Sequence, residues 1–198
     1  MNIGLTGGIA SGKSTVSKML QDRGALIVDA DRISREMVMP GSPVLQQIVE
    51  TFGSSILQED GSLDRKQLGA IIFADEHKRL QLNEIMHPPI RAEMVKRLNE
   101  LETKHPDRLV VADIPLLYES KLQHMFEEVM VVYVPLHIQV KRLMQRDGIT
   151  KELAEERIAS QMPLSDQREL ADVVIDNSGS LEDTQRQVEN YIKRKGLQ

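Results

Sequence analysis

Apolar residues form five short, nearly continuous runs along the chain, at 2–6, 25–29, 109–113, 128–134 and 172–176. Runs that are apolar at successive positions are typical of strands covered on both faces, as in a parallel sheet under helices. Residues 13–23, 138–146 and 181–195 instead have apolar residues at helical spacing, and Gly24 provides a stop for the first of these helices. The alternation predicts an α/β fold with a doubly wound, five-stranded parallel sheet.

About eighty residues separate the second and third runs, whereas a crossover between parallel strands needs about a dozen. They are predicted to be mostly helical, at 43–52, 65–73, 76–86 and 90–103, with a turn at 59–62. We therefore expect a core formed by residues 1–31, 108–137 and 168–198, and a helical substrate-binding insertion at 32–107. Residues 138–167 are expected to form a lid, a mobile flap rather than core, broken at Asp147-Gly148 and continued by a helix that Thr150 caps.

Composition excludes several classes of protein. The 25 basic and 30 acidic residues give a net charge of −5, which disfavours a nucleic-acid or anionic-membrane binder. Three Phe, three Tyr and no Trp disfavour a base-stacking platform, and the lack of cysteine excludes disulfides and thiolate metal sites. Since no apolar run approaches about 20 residues and the N-terminus does not resemble a signal peptide, we expect a cytoplasmic protein without a membrane partner.

Residues 7–14, Gly-Gly-Ile-Ala-Ser-Gly-Lys-Ser, match the phosphate-binding pattern G-x-x-x-x-G-K-[ST]. The match lies between a predicted strand and a predicted helix, which is the context that the pattern requires. Its glycines allow backbone N–H groups to surround phosphate oxygens at the positive end of a helix. Lys13 is expected to reach the β- and γ-phosphates and Ser14 to offer its hydroxyl to Mg²⁺. The expected ATP contacts in this loop are Gly8, Ile9, Ala10, Ser11, Gly12, Lys13, Ser14 and Thr15.

A small kinase is the class of nucleotide-binding protein that the remaining sequence favours. The chain lacks the Asn-Lys-x-Asp guanine reader of switch GTPases, and the run ending at Asp113 is followed by Ile-Pro rather than by the glutamate of many ATPases. The second strand ends at Asp29-Ala30-Asp31. In an open α/β sheet, ligands bind beyond the carboxyl ends of the strands, so Asp31 is predicted to hold and deprotonate an acceptor hydroxyl and Asp29 to contact the metal. Capping of the following helix is the alternative role for both.

Segments along nearly the whole chain resemble dephospho-coenzyme A kinases, in the same order as in that family. Residues 5–14 and 28–31 resemble the beginning of these enzymes, and Arg142 with Arg146-Asp147 resembles their lid. Later matches are 61–65 (G-x-L-[DN]-R), 87–91 (H-P-x-I-R), 115–119 (P-L-L-x-E) and 171–179 (A-D-x-x-I-x-N-x-G).

The resemblance implies ATP-dependent phosphorylation of the ribose 3′-hydroxyl of dephospho-CoA, which gives coenzyme A and ADP. It also implies that the insertion binds CoA, that Asp31 is the base and that Asn177 lies in the loop that contacts adenine. An Asx-type turn at Asn177 is the alternative. Asp113 is not expected to be essential, although a metal or water-bridging role stays open. On the substrate side the implied residues are Asp31, Arg65, His87, Arg91, Leu116 and Glu119.

Several side chains keep two interpretations. Arg142 is expected to contact the phosphates as a built-in arginine finger, but Arg142 and Arg146 also fit a solvated helix face. Arg65 and Arg91 could neutralise substrate phosphates or pair with neighbouring acids. His87, which precedes Pro88, is expected to be extended at the start of a helix.

The alternative functions are a nucleoside monophosphate or small-polyol kinase and, from another class, a regulatory nucleotide-binding switch. A monomer or a weak homo-oligomer is expected.

Overall fold

The computed structural model describes residues 1–196, which form two compact units. The first contains Met1–Val28 and the chain from Leu98 onward, and the second contains Asp29–Arg97. The division falls three and ten residues before the predicted ends of the two segments at 31 and 107, and the three-part domain assignment stays a prediction.

A five-stranded parallel sheet forms the centre of the first unit and confirms the predicted fold class. The strand order is β2-β3-β1-β4-β5, so the strand that leads into the phosphate loop is central. Ile3 on β1 pairs with Val111 on one side and with Glu128 on the other. The strands are β1 (Asn2–Thr6), β2 (Leu26–Asp29), β3 (Val110–Asp113), β4 (Glu128–Tyr133) and β5 (Val173–Asp176).

The strands are apolar at successive positions because helices cover the sheet, as predicted. Ile3, Leu5 and Met130 are fully buried, and they pack in one cluster with Val16 and Val188 from two covering helices. Adjacent strands that are buried on both faces need apolar residues at every position. The helices of this unit are α1 (Lys13–Asp22), α6 (Leu136–Asp147), α7 (Lys151–Ala159), α8 (Leu164–Leu170) and α9 (Leu181–Lys195).

Helix ends in this unit follow the local signals in the sequence. The N–H of Gly24, at φ 93°, donates to the carbonyl of Gln21 and terminates α1. Gly148, at φ 64°, terminates α6, and Thr150 Oγ1 accepts a hydrogen bond from Leu153 N at 3.4 Å to begin α7. The predicted break at 147–148 and the cap at Thr150 are both confirmed.

The second unit is helical, with a small core of its own. Val38, Leu45, Ile48, Ile56 and Leu68 are buried together. The predicted turn at 59–62 is present, since the N–H of Gly61 donates to the carbonyl of Gln58. The helices are α2 (Ala30–Glu36), α3 (Pro43–Phe52), α4 (Arg65–Ala74) and α5 (Glu76–Lys104), and a single 3₁₀ turn covers Ser54–Ile56. The residues of α5 from Leu98 onward are counted with the first unit.

The predicted break between residues 86 and 90 was wrong. A single 29-residue helix, α5, contains both Pro88 and Pro89, and His87 lies inside it rather than in an extended segment before it. A proline removes one helical hydrogen bond and crowds the preceding turn, but packing on both sides can hold a helix through it. Met86 packs on the core of the second unit just before the prolines, and Met94 is buried after them.

The lid segment is better packed than the sequence suggested. Val140 and Leu143 of α6 are buried against Ala154 and Ile158 of α7, so the two helices share a small apolar core. The assignment of this segment as a mobile lid stays a prediction. Among residues 1–196, no helix combines the length and apolar composition needed to cross a bilayer.

Candidate active site

The phosphate loop, residues 7–14, connects β1 to the first turn of α1 as predicted. Gly12 has a left-handed conformation, with φ 91°, and Ala10 has φ 60°. Within the described part of the chain, the N–H groups of Ala10, Gly12, Lys13 and Ser14 have no hydrogen-bond partner. The buried hydroxyl of Ser11 has none either. Unused N–H donors around a helix N-terminus, together with the unsatisfied buried hydroxyl of Ser11, form the kind of site that binds an anion.

Three amide side chains from later parts of the sequence form hydrogen bonds with the backbone of the phosphate loop. Gln139 Nε2 donates to the carbonyl of Ile9 at 2.8 Å, and Gln161 Oε1 accepts from the N–H of Ile9 at 2.8 Å. Asn177 Nδ2 donates to the carbonyl of Ser11 at 2.8 Å. Ile9 and Ala10 also pack on the apolar core between α6 and α7. The phosphate loop is therefore held by contacts with the lid segment as well as by its connection to the sheet.

Lys13 forms an ion pair with Asp113, the last residue of β3. Both side chains are mostly buried, with 18% and 12% of their surface exposed. The contact follows from strand order, because Asp113 lies opposite Leu5 in the register between β3 and β1. This carboxylate was not expected from the sequence to be essential. Its position at the carboxyl end of the strand next to β1 was the signal that could have drawn attention to it.

Asn177 is a buried residue at the exit of β5, with 4% of its surface exposed. Besides its bond to Ser11, its Oδ1 accepts from Thr184 Oγ1 at 2.9 Å, so both ends of the side-chain amide have protein partners. The turn at this place is instead made by Asp176, whose Oδ1 accepts from Ser178 N at 2.9 Å. The alternative of an Asx turn at Asn177 was wrong, and its contact with ATP stays a prediction.

Arg142 on α6 faces the phosphate loop. Its Nη2 donates to the carbonyl of Asn177 at 2.8 Å and its Nη1 to the carbonyl of Ser11 at 3.4 Å. The guanidinium is half-buried rather than solvated, and it lies beside the loop that it was predicted to serve.

Arg146 is turned toward the end of its own helix. Its Nε lies 2.7 Å from Asp147, and Arg157 of α7 contacts the same carboxylate at 2.9 Å. The hydrogen bonds and charges of these two arginines lower the pKa of Asp147.

The two carboxylates after β2 have different surroundings. Asp29 Oδ1 accepts from Arg32 N at 2.9 Å and caps α2, as the alternative interpretation required. The side chain of Asp31, in the first turn of α2, is exposed and makes no hydrogen bond or ion pair to any described residue. Asp31 is thus available to an external group, while the metal role of Asp29 stays a prediction.

Three further predicted substrate residues lie on helices of the second unit. Arg65 begins α4 and lines a pocket of about 220 Å³ together with Ser34 and Leu82. His87 and Arg91 lie one turn apart on α5. Loss of water around the ring, and then the charge of Arg91, lower the pKa of His87. Their contacts with substrate stay predictions.

The segment after β3 contains the other two predicted substrate residues. Leu116 is 43% exposed. Glu119 Oε1 accepts from the N–H of Met162, in the connection between α7 and α8, at 2.9 Å. Glu119 therefore fixes the end of the lid segment, and its contact with substrate stays a prediction.

No group of three or more His, Asp or Glu side chains suited to a metal ion occurs in residues 1–196. Gln139 and Gln161 were not assigned a role from sequence, because amide residues among charged neighbours carry no distinctive pattern. Their function as partners of the phosphate loop became visible only in the tertiary structure.

Comparisons with known proteins agree with the motifs. The family model described as dephospho-CoA kinase matches residues 1–183. A dephospho-CoA kinase of Shouchella clausii is 57% identical over 188 residues, which is 95% of each chain. One of Carboxydothermus hydrogenoformans is 50% identical and covers 97% of this chain and 93% of its own.

Solved structures show the same fold. The dephospho-CoA kinase from Campylobacter jejuni has a TM-score of 0.77 at 28% identity, with 98% of this chain and 96% of that chain covered. TT1252 from Thermus thermophilus has a TM-score of 0.81 at 31% identity, with 98% and 97% covered. The resemblance seen in the sequence motifs is confirmed: with this match over nearly its whole length, the chain belongs to the dephospho-CoA kinase family.

Proposed function

We propose that the protein transfers the γ-phosphoryl group of ATP to the ribose 3′-hydroxyl of dephospho-CoA, giving coenzyme A and ADP. The observation that carries the proposal is a loop with four unused N–H donors and a lysine, in a chain 57% identical to a dephospho-CoA kinase. Phosphoryl transfer needs positioning and charge neutralisation more than covalent chemistry, and the residues below are assigned on that basis.

The phosphate loop binds the triphosphate through its N–H groups. Lys13 leaves Asp113 when the nucleotide binds, and its ammonium lies against the β- and γ-phosphates. Arg142 Nη1 lies 3.4 Å from the carbonyl of Ser11, so the guanidinium places a second positive charge beside the phosphate loop. These charges stabilise the transferring group, whose negative charge is spread over its three outer oxygens.

Mg²⁺ is the expected companion of ATP, and the residues present fit it. The exposed hydroxyl of Ser14 and the carboxylate of Asp113 offer oxygen ligands of the kind that Mg²⁺ prefers, with the phosphates completing the set. When bound, the ion neutralises phosphate charge. Asp29, the carboxylate named from sequence, keeps one oxygen for a metal while the other caps α2.

Asp31 holds the acceptor. The chain leaves the carboxyl edge of the sheet after β2 and reaches Asp31 in the first turn of α2. The exposed carboxylate accepts a hydrogen bond from the 3′-hydroxyl and takes its proton as the new O–P bond forms. Binding of the rest of dephospho-CoA is assigned to Arg65, His87, Arg91, Leu116 and Glu119, and the protein is assigned to the cytoplasm.

A coupled assay of ADP release tests the reaction. The purified chain is given ATP and Mg²⁺ with dephospho-CoA, AMP, UMP, gluconate or shikimate in separate reactions. We expect release with dephospho-CoA alone, and a product phosphorylated at the ribose 3′ position by phosphorus NMR. Release with a nucleoside monophosphate or a polyol alone would replace the proposal by one of the alternatives, and ATP binding without turnover on any acceptor would favour a regulatory switch.

A further inference from the structure

Two carbonyl groups on the outside of the phosphate loop are held by buried amide side chains. Gln139, with 2% of its surface exposed, donates to the carbonyl of Ile9 at 2.8 Å. Asn177, with 4% exposed, donates to the carbonyl of Ser11 at 2.8 Å. These bonds connect positions 130 and 166 residues apart, so they exist only in the folded chain.

Each of these carbonyls shares a peptide unit with one of the unused N–H donors. A trans peptide is planar, and its C=O points opposite to the N–H of the next residue. Holding the Ile9 carbonyl outward therefore turns the Ala10 N–H inward, and holding the Ser11 carbonyl outward does the same for the Gly12 N–H. Both N–H groups are without a partner in the described residues.

The residues around the two side-chain amides allow them to reach the loop carbonyls and fix their orientation. A Cβ on Gly8 would lie 2.8 Å from Gln139 Nε2, so the glycine leaves the space through which Gln139 reaches the loop. A Cβ on Gly12 would lie 2.0 Å from Asn177 Nδ2. Thr184 donates to Asn177 Oδ1 at 2.9 Å, which fixes the amide with its donor end toward Ser11.

We propose that Gln139 and Asn177 are positioning residues that aim the N–H groups of Ala10 and Gly12 at the phosphates of the nucleotide. The proposal rests on the proposed function, because it assigns how this same site binds ATP. Neither side chain needs to touch the nucleotide. Without them the Ile9 carbonyl loses its amide donor and the Ser11 carbonyl keeps only the longer contact from Arg142, at 3.4 Å, so the inward arrangement of the donors is weakened before any ligand arrives.

The test separates phosphate binding from nucleoside binding. Gln139→Met keeps the length and helix propensity of the side chain and removes its hydrogen bonds. Gln145→Met, an exposed position on the same helix, is the matched control. Dissociation constants for ADP and for adenosine are measured by NMR titration on the full chain, together with KM for ATP and kcat.

For Gln139→Met we expect ADP binding to weaken about tenfold, the loss of about one hydrogen bond to a charged group. Adenosine binding should stay within about twofold of wild type, and KM for ATP should rise more than kcat falls. Gln145→Met should match wild type throughout. Asn177→Leu should also weaken ADP binding about tenfold. Gln139→Met alone decides the comparison with adenosine, because Asn177 is predicted to lie in the loop that contacts adenine.

Unchanged ADP binding in Gln139→Met would overturn the inference, and so would an equal loss of ADP and adenosine binding, since that result indicates a merely structural role. The proposed function fails separately if the wild-type chain binds ADP but does not phosphorylate dephospho-CoA. In that case the positioning inference still stands on the ADP results. A wild-type chain that does not bind ADP would overturn both.

Discussion

Replacing Gly12 by alanine measures how closely the phosphate loop is packed against the exit of β5. A Cβ at this position would lie 2.0 Å from Asn177 Nδ2, far inside contact distance. The backbone of Gly12 is also left-handed, at φ 91°, a conformation that costs a non-glycine residue about 1–2 kcal/mol. Gly12→Ala is therefore expected to destabilise the protein for two separate reasons, the close contact with Asn177 and the left-handed backbone.

The size of the effect follows from what Asn177 would lose. Displacing its amide breaks the hydrogen bonds to Ser11 and Thr184, about 1 kcal/mol each, and leaves buried groups without partners. With the backbone cost, we expect Gly12→Ala to lower the free energy of unfolding by about 4 kcal/mol. For a chain of this size that corresponds to a Tm about 8–16 °C lower.

Gly148→Ala is the matched control, because it has the same kind of backbone without the close contact. Gly148 has φ 64°, and a Cβ there would meet nothing within 4 Å. We expect a loss of about 1 kcal/mol, or about 2–4 °C in Tm. Both variants are compared with wild type by scanning calorimetry at pH 7 without nucleotide.

Equal Tm losses in the two variants would refute the reasoning, since the backbone cost would then account for everything. A double-mutant cycle sharpens the test. Asn177→Ala removes the clash, so adding Gly12→Ala to it should cost only the backbone term of about 1–2 kcal/mol. Strict additivity of the two single substitutions would show that Gly12 and Asn177 do not interact as the structure indicates.

Three further results are expected. Asp31→Asn should reduce kcat by about 10²–10⁴ with ATP binding retained, because the amide cannot accept the hydroxyl proton; near-normal turnover would remove its assigned role. Lys13→Ala should reduce kcat at least about 10²-fold, while Lys18→Ala, an exposed lysine on the same helix, should leave it unchanged; similar rates for both variants would contradict the assignment. Burial raises the pKa of Glu128, but hydrogen bonds from Lys195 and Tyr191 outweigh it and lower the pKa overall. The stability that Glu128 contributes is therefore present above its unfolded pKa and is lost as pH falls through the lowered value, so the Tm difference between wild type and Glu128→Gln should shrink from pH 7 to pH 3; a difference constant over this range would argue against these contacts.

Features that depend on a few neighbouring residues could be predicted from the sequence. The bounds of β1 and α9, the helix stop at Gly24 and the break at Asp147-Gly148 agree with the sequence prediction. So does the place of the phosphate loop between β1 and α1. These features follow from the period of apolar residues, from caps within one helical turn, and from glycine's access to positive φ. The clearest local failure is α5, where packing on both sides of Pro88 overrides the preference of proline to end a helix. The Asx turn considered at Asn177 is a second one, because Asp176 makes that turn.

The groups that complete the site come from distant parts of the chain, and the folded arrangement was needed to identify them. Asp113 meets Lys13 because β3 lies beside β1 in the sheet, although 100 residues separate the two side chains. Asn177 and Gln139 reach the loop from 166 and 130 residues away along the chain. Strand order and helix packing bring these groups together. No local sequence pattern predicts their contacts, because the residues adjacent in sequence to an aspartate or an amide do not show whether its side chain faces solvent or the phosphate loop.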